Sequence, residues 1–264
     1  LMLVQPAAVG FDILMPEATS DDAQLAESIG FSGNVVLAVG GDGQGNSVQV
    51  SPSLTAPIDG YFQLGHVKHI PDTDGVSRHA FLYERYQTTF SPSFAISLLD
   101  TYQHNLANII TDSPITLSAA SSKFLDNPEQ FDQSQSVLIN WPGLTRPGPN
   151  AQSPQGLTTF SFSDVMTNDE RLDQLPNKIV LVGYTATGVV GTVEDPIRTP
   201  FERKISTSGV YLHAALLDNL LNNRFLVRLP QRWTLTLIML SAVGSGLVVK
   251  PLRLRGRLIF LLAL

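Results

Sequence analysis

The sequence predicts an α/β fold, a mostly parallel sheet flanked by helices with an antiparallel hairpin, followed by a transmembrane helix. Three observations carry this. Ala7 to Leu14 (AAVGFDIL), Asn34 to Val39 (NVVLAV) and Lys178 to Val182 (KIVLV) are short apolar runs without alternation, as strands covered on both faces are. A helix-like stretch separates the first two, and strand, helix, strand within about 30 residues is the spacing of a right-handed parallel crossover. Trp233 to Val249 (WTLTLIMLSAVGSGLVV) contains no charge.

Taken in order, the first strand is ended by Pro16. Thr19 or Ser20 can cap a helix that carries Asp21 and Asp22 in its first turn and runs through Leu25, Ala26 and Ile29 to Gly30. The glycine-rich Gly40 to Gly45 follows the second strand; no GK[ST] and no helix start come after it, so it reads as a surface loop and not a phosphate cradle. Tyr61 to Ile70 and Val76 to Tyr83 are strand-like around Pro71-Asp72-Thr73-Asp74-Gly75, a turn in which Gly75 suits a positive φ. Ser91 as cap and Pro92 at the first position start a helix to Leu106, with Phe94, Ala95, Leu98, Leu99 and Tyr102 on one stripe. Val137 to Trp141 is a further strand, Leu144 to Gly156 a surface excursion, and Ser163 and Asp164 mark a helix start. After the strand at 178–182 come the small-residue loop 184–188 and a helix from Val210 to Asn222.

The uncharged run of seventeen residues gives roughly 25 Å of helix against a hydrocarbon core of roughly 30 Å, and borrows length from 230–232 and Leu252. Every charged residue from 232 onward is basic: Arg232, Lys250, Arg253, Arg255 and Arg257. Residues 1–231 hold 12 Lys and Arg against 23 Asp and Glu. By the positive-inside rule 250–257 is a cytoplasmic loop and 1–231 is extracytoplasmic, which places the chain in the inner (plasma) membrane. The expected division is a domain at 1–229, a span at 230–249, the loop 250–257, and the start of a second span at 258–264. The acidic surface argues against nucleic acid, and the absence of Cys excludes a disulfide framework.

Candidate chemistry gathers in two places. His66, His69, Asp72, Asp74 and His79 lie close in sequence, but His66 and His69 are three apart and on one strand would point to opposite faces, so no metal is expected. An Asp-stabilised turn beside a ligand cleft and an ordinary hairpin turn both remain open there. At the carboxyl edge of the sheet, the loop after Val182 and the first turns of the helix near Gly209 bring backbone N–H groups and a helix dipole to one rim. A cleft lined by Asp12, Thr185, Thr187, Asp195 and His213 is the predicted ligand site. His213 alone is compatible with a structural role, a ligand contact or catalysis.

The ordered series VGFDIL (9–14), PDTDGVSRHA (71–80), PSFAISLL (92–99), VLINWPG (137–143), TTFSFSDV (158–165), LPNKIVLVGYTA (175–186) and TPF (199–201) with GVYLHAALLDNLL (209–221) resembles the CHASE2 domain. The resemblance implies the extracytoplasmic sensor module of bacterial, often cyanobacterial, receptors. Such receptors carry a cytoplasmic adenylate or guanylate cyclase, histidine kinase or Ser/Thr kinase as output, and no cofactor is implied. It also implies that a strand-helix unit precedes Leu1. Asp12, Asp72, Asp74, Gly75, Arg78, Gly183, Thr199, Pro200, Gly209 and His213 fall on the family pattern as turn, structural or site positions without assigned roles. The leading expectation is a non-catalytic, homodimeric, membrane-embedded sensor for a small-molecule signal. The alternatives are a dimerisation domain that binds nothing and a hydrolase-like enzyme built on Asp12, Asp195 and His213, which lacks any nucleophile motif. For the dimer, Ser241, Gly244, Ser245 and Gly246 offer a small-residue face along the span.

Overall fold

The computed structural model describes residues 5–42, 44–58, 60–87, 89–109, 136–142, 144–145, 153–154, 157–167, 170–185, 197–201 and 207–249. It divides into two compact units, Leu1–Leu226 and Val227–Leu264.

In the first unit β1 (Ala8–Asp12), β2 (Val35–Gly41), β4 (Phe62–His66) and β11 (Ile179–Gly183) form a parallel sheet in the order β11-β1-β2-β4. A short β3 (Ser47–Val48) pairs antiparallel with the far end of β2. Successive side chains go to opposite faces: Val9, Val35 and Leu37 meet α1 (Asp22–Ser32) and α2 (Pro52–Thr55), while Ala8 and Val36 meet α3 (Phe94–Ile109) and α5 (Gly209–Asn222). Both faces are covered, which is why the strands read as continuous apolar runs.

Glycines set the depth of this packing on the α3 and α5 side. A Cβ on Gly65 would lie 2.5 Å from Phe94 Cα, one on Gly10 2.7 Å from the Phe94 ring, and one on Gly183 2.9 Å from Val210 Cβ. The two helices therefore rest directly on strand backbone, with Phe94, the first residue of α3, wholly buried against β1 and β4.

Several local expectations change. α1 runs on through Gly30 and ends at Gly33, whose φ of 62° closes the helix in the left-handed region. The strand at 62–66 is not one arm of a hairpin with 76–83, because β4 extends the central sheet in parallel beside β2. Instead β5 (His79–Phe81) pairs antiparallel with β8 (Ser136–Leu138), and β6 (Tyr83–Tyr86) forms the antiparallel hairpin with β7 (Thr89–Pro92). Ser91 and Pro92 belong to β7; the α3 cap is Ser93, whose hydroxyl accepts from the Ile96 N–H at 3.3 Å. The excursion after 143 contains a two-residue pair, β9 (Leu144–Thr145) with β10 (Ser153–Pro154). The helix α4 (Phe162–Met166) starts at a capping box in which Ser161 is the cap and Asp164 the third residue.

The arm carrying β8 is locked to α5 by Asn219. Its side chain accepts from the Asn140 N–H at 2.7 Å and donates to the Asn140 carbonyl at 3.0 Å, so a fully buried amide serves as a strand partner. Trp141 donates its indole N–H to the Ser77 carbonyl at 2.6 Å.

The second unit contains α6 (Gln231–Val249), helical where the sequence predicts a helix. The transmembrane reading does not hold: among the described residues no helix is long and apolar enough to cross a membrane. α6 opens on Gln231 and Arg232, and Thr234, Thr236, Ser241 and Ser245 interrupt its apolar surface, bonding back to carbonyls of the preceding turn. With it go the transmembrane element of the fold class, the membrane-embedded arrangement, and the inner-membrane localisation with 1–231 extracytoplasmic. The loop 250–257 and the second span at 258–264 lie outside the described residues.

Candidate functional site at the carboxyl rim of the sheet

The chain leaves β1 toward β2 by way of α1 on one face, and returns past β1 to β11, after which α5 lies on the other face. The connections diverge between β1 and β11, and the crevice outside the carboxyl ends of such strands is where open α/β sheets place ligands.

Asp12, the last residue of β1, pairs in register with Gly183, the last of β11. Gly209 begins α5, and a Cβ there would lie 3.8 Å from an Asp12 carboxylate oxygen. One turn on, His213 Nε2 stands 3.8 Å from Asp12 Oδ1. Ser208, just before the helix, donates its hydroxyl to the Tyr184 carbonyl and ties the start of α5 to the loop leaving β11. Four of the sequence-selected residues, Asp12, Gly183, Gly209 and His213, thus meet at one point. Thr185 is exposed in the loop two residues beyond β11, and Thr187 and Asp195 lie outside the described residues.

The His213 ring is buried, with its centroid 5.3 Å from that of Phe94 in an edge-on arrangement. Its Nδ1 is buried and has no hydrogen-bond partner among the described residues. Burial lowers its pKa and the Asp12 carboxylate pulls the other way, with burial prevailing, so the ring is neutral at physiological pH.

His66, which the sequence groups with the turn residues on a hairpin, instead ends β4 of the central sheet and is 1% exposed. It bridges Ser93, the residue before Phe94. Its Nδ1 accepts from the Lys68 N–H at 3.3 Å, and its Nε2 is buried without a partner among the described residues. Burial, assisted by the charges of His213 and Lys68, pushes its pKa down to about 3. The Lys68 ammonium is held by Glu84 at 2.6 Å.

The turn residues form a separate network. Gly75 has φ 75° and donates to the Asp72 carbonyl at 2.8 Å. Arg78 donates to Asp72 at 2.7 Å and to both Asp74 oxygens at 2.9 and 2.8 Å, and His79 Nδ1 is 2.7 Å from Asp72. Burial opposes ionisation of Asp72, but Arg78 and His79 outweigh it and its pKa falls, while that of Arg78 rises. Ser77 donates its N–H to the Arg198 carbonyl at 2.8 Å, which joins the turn to the segment holding buried Thr199 and exposed Pro200. Among the described residues no group of three or more His, Asp or Glu could hold a metal ion. A pocket of about 100 Å³ at the amino ends of β2 and β4, lined by Tyr61, Gln63, Thr101 and His104, contains none of the predicted site residues.

The family model of the CHASE2 domain matches residues 1–248. The chain belongs to the CHASE2 domain family. CHASE2 domains are non-catalytic sensor modules, which removes the hydrolase-like reading. The chain matches no curated protein and no solved structure.

Proposed function

We propose that this CHASE2 domain senses a small molecule bound at the carboxyl rim between β1 and β11, with Asp12, Thr185 and His213 as its contacts. The observation that supports this reading most directly is His213: a buried imidazole with an unpartnered Nδ1, on the helix that starts beside Asp12, at the divergence point of the sheet. A buried polar atom without a partner costs about 1–3 kcal/mol, and a ligand that supplies the missing bond recovers it. A signal there acts on α5, whose distant end is clamped through Asn219 to the arm at 138–140. The output regulated in this way is a cyclase or protein kinase of the kind that such receptors carry.

A small-molecule library screened by thermal shift tests the reading. Hits are expected to lose their stabilisation with His213→Ala and with Asp12→Asn. A hit set that stabilises parent and both folded variants equally refutes the site.

A further inference from the structure

The pocket at the amino ends of β2 and β4 stands at the opposite end of the sheet from Asp12 and His213. Independently of the rim site, we infer that it is a second binding site, which takes the hydroxyl-bearing edge of a neutral monosaccharide. Strand and helix build its polar wall together. Phe62 and Leu64 point to the α1 and α2 face, so Gln63 between them points to α3, where its amide donates to the Asp100 carboxylate at 2.9 Å. Thr101, His104 and Asn105 stand at i, i+3 and i+4 on α3 and line the same pocket.

Three of these side chains are oriented by bonds made behind the wall. Gln63 Nε2 and Asn105 Nδ2 donate to atoms that can only accept, the Asp100 carboxylate and the Ala7 carbonyl at 3.0 Å, which settles the end of each amide that is nitrogen. Each amide has a second N–H and an acceptor oxygen beyond that bond. His104 Nδ1 lies 3.0 Å from the Asp100 carbonyl and 3.3 Å from its carboxylate, both acceptors, so in the neutral ring Nε2 is a lone pair. The wall thus mixes donors with acceptors, which suits hydroxyl groups, since each of them both donates and accepts.

Charge and shape select the class. The described residues that line the pocket include no Lys, Arg, Asp or Glu, and the carboxylate behind the wall, Asp100, has Gln63 at one oxygen and His104 at the other. An anion meets no cation there, and an ammonium group meets no open carboxylate. The volume of about 100 Å³ is well below the roughly 300 Å³ of a site that encloses a drug-sized ligand, so the pocket receives one edge of a sugar ring and leaves the rest outside. Tyr61, which lines the pocket and is 59% exposed, offers that remainder an aromatic ring, whose electron-rich face attracts the polarised C–H groups of a pyranose. The mouth is open, because a Cβ on Gly33 or Gly60 would meet nothing within 4 Å.

The test is saturation-transfer-difference NMR on the chain at neutral pH, with D-glucose, D-galactose, D-mannose and N-acetyl-D-glucosamine as neutral probes and sodium D-glucuronate and choline chloride as charged ones. At least one neutral sugar is expected to respond saturably and, in ¹H–¹⁵N spectra, to shift the side-chain amides of Gln63 and Asn105. The charged probes are expected to bind at least about tenfold more weakly. Tyr61→Ala is expected to weaken sugar binding at least about tenfold, and Tyr61→Phe, which keeps the ring, to hold it within about threefold. Both variants change an exposed side chain and are expected to melt with the parent. The inference is overturned by silence from all four sugars, by an equal response to glucuronate or choline, by unchanged affinity in Tyr61→Ala, or by sugar-induced shifts that fall at Asp12 and His213 and spare Tyr61 and Gln63.

Discussion

Acidification is expected to destabilise the domain well above the range in which carboxylates titrate, through His66. Its pKa is about 3 in the folded chain against 6.5 for a free ring, because protonation charges a side chain that is 1% exposed. The unfolded chain binds this proton more readily, so the stabilising contribution is complete above pH 6.5 and declines as pH falls toward 3. For a ring of pKa 6.5 when unfolded and about 3 when folded, the loss between pH 7 and pH 5 is about 2 kcal/mol, rising to about 4 kcal/mol near pH 3, where the folded ring itself takes up the proton. His213, also lowered by burial, adds to the loss in the same direction, and Asp12 moderates it. The assay is urea unfolding at pH 7 and pH 5 for the parent, for His66→Phe, and for His104→Asn as a control on a side chain 73% exposed. The parent is expected to lose at least about 2 kcal/mol, His66→Phe about 2 kcal/mol less than the parent, and the control the same as the parent. An identical loss in His66→Phe refutes the argument, whatever the variant's stability at pH 7.

Two further perturbations probe the frame of the site. Asn219→Ala leaves the Asn140 N–H and carbonyl without their protein partners; with Asn140 half-buried and partly reachable by water, the expected cost is about 2–4 kcal/mol by denaturant unfolding, and a change below about 0.5 kcal/mol contradicts the clamp. Gly75→Val at φ 75° is expected to cost about 1–2 kcal/mol from backbone strain alone, since the nearest atom to a new Cβ is 3.8 Å away. In thermal melts of both variants Gly75→Asn should cost measurably less, and equal costs would point to packing as the cause.

What the sequence determined by itself was mostly local. The apolar runs at 7–14, 34–39 and 178–182 are β1, β2 and β11, because a strand covered on both faces must be apolar at every position. Val210, Ala214, Leu217 and Leu221 lie at helical spacing in the sequence; in α5 the first three are buried and Leu221 is exposed, while Tyr211, Leu212, His213, Ala215 and Leu216 are buried as well. Parallel order in turn places the strand ends at one rim, so Asp12 and His213 could be expected together.

Tertiary structure decided the rest, since pairing depends on contacts that no local pattern encodes. Phe62 to His66 has the composition of a hairpin arm, yet it lies beside β2 because Gly65 lets α3 sit directly on its backbone. That same choice buries His66, which on a hairpin would have been an ordinary polar residue. Asn219 stands three residues before the end of α5, and the docking of 138–140 makes it a buried backbone partner. The uncharged run at 233–249 correctly announced a helix, but crossing a bilayer depends on the length and hydropathy of the whole helical segment, which begins at Gln231 and Arg232. Local chemistry selects an element; the geometry of its neighbours decides what that element faces.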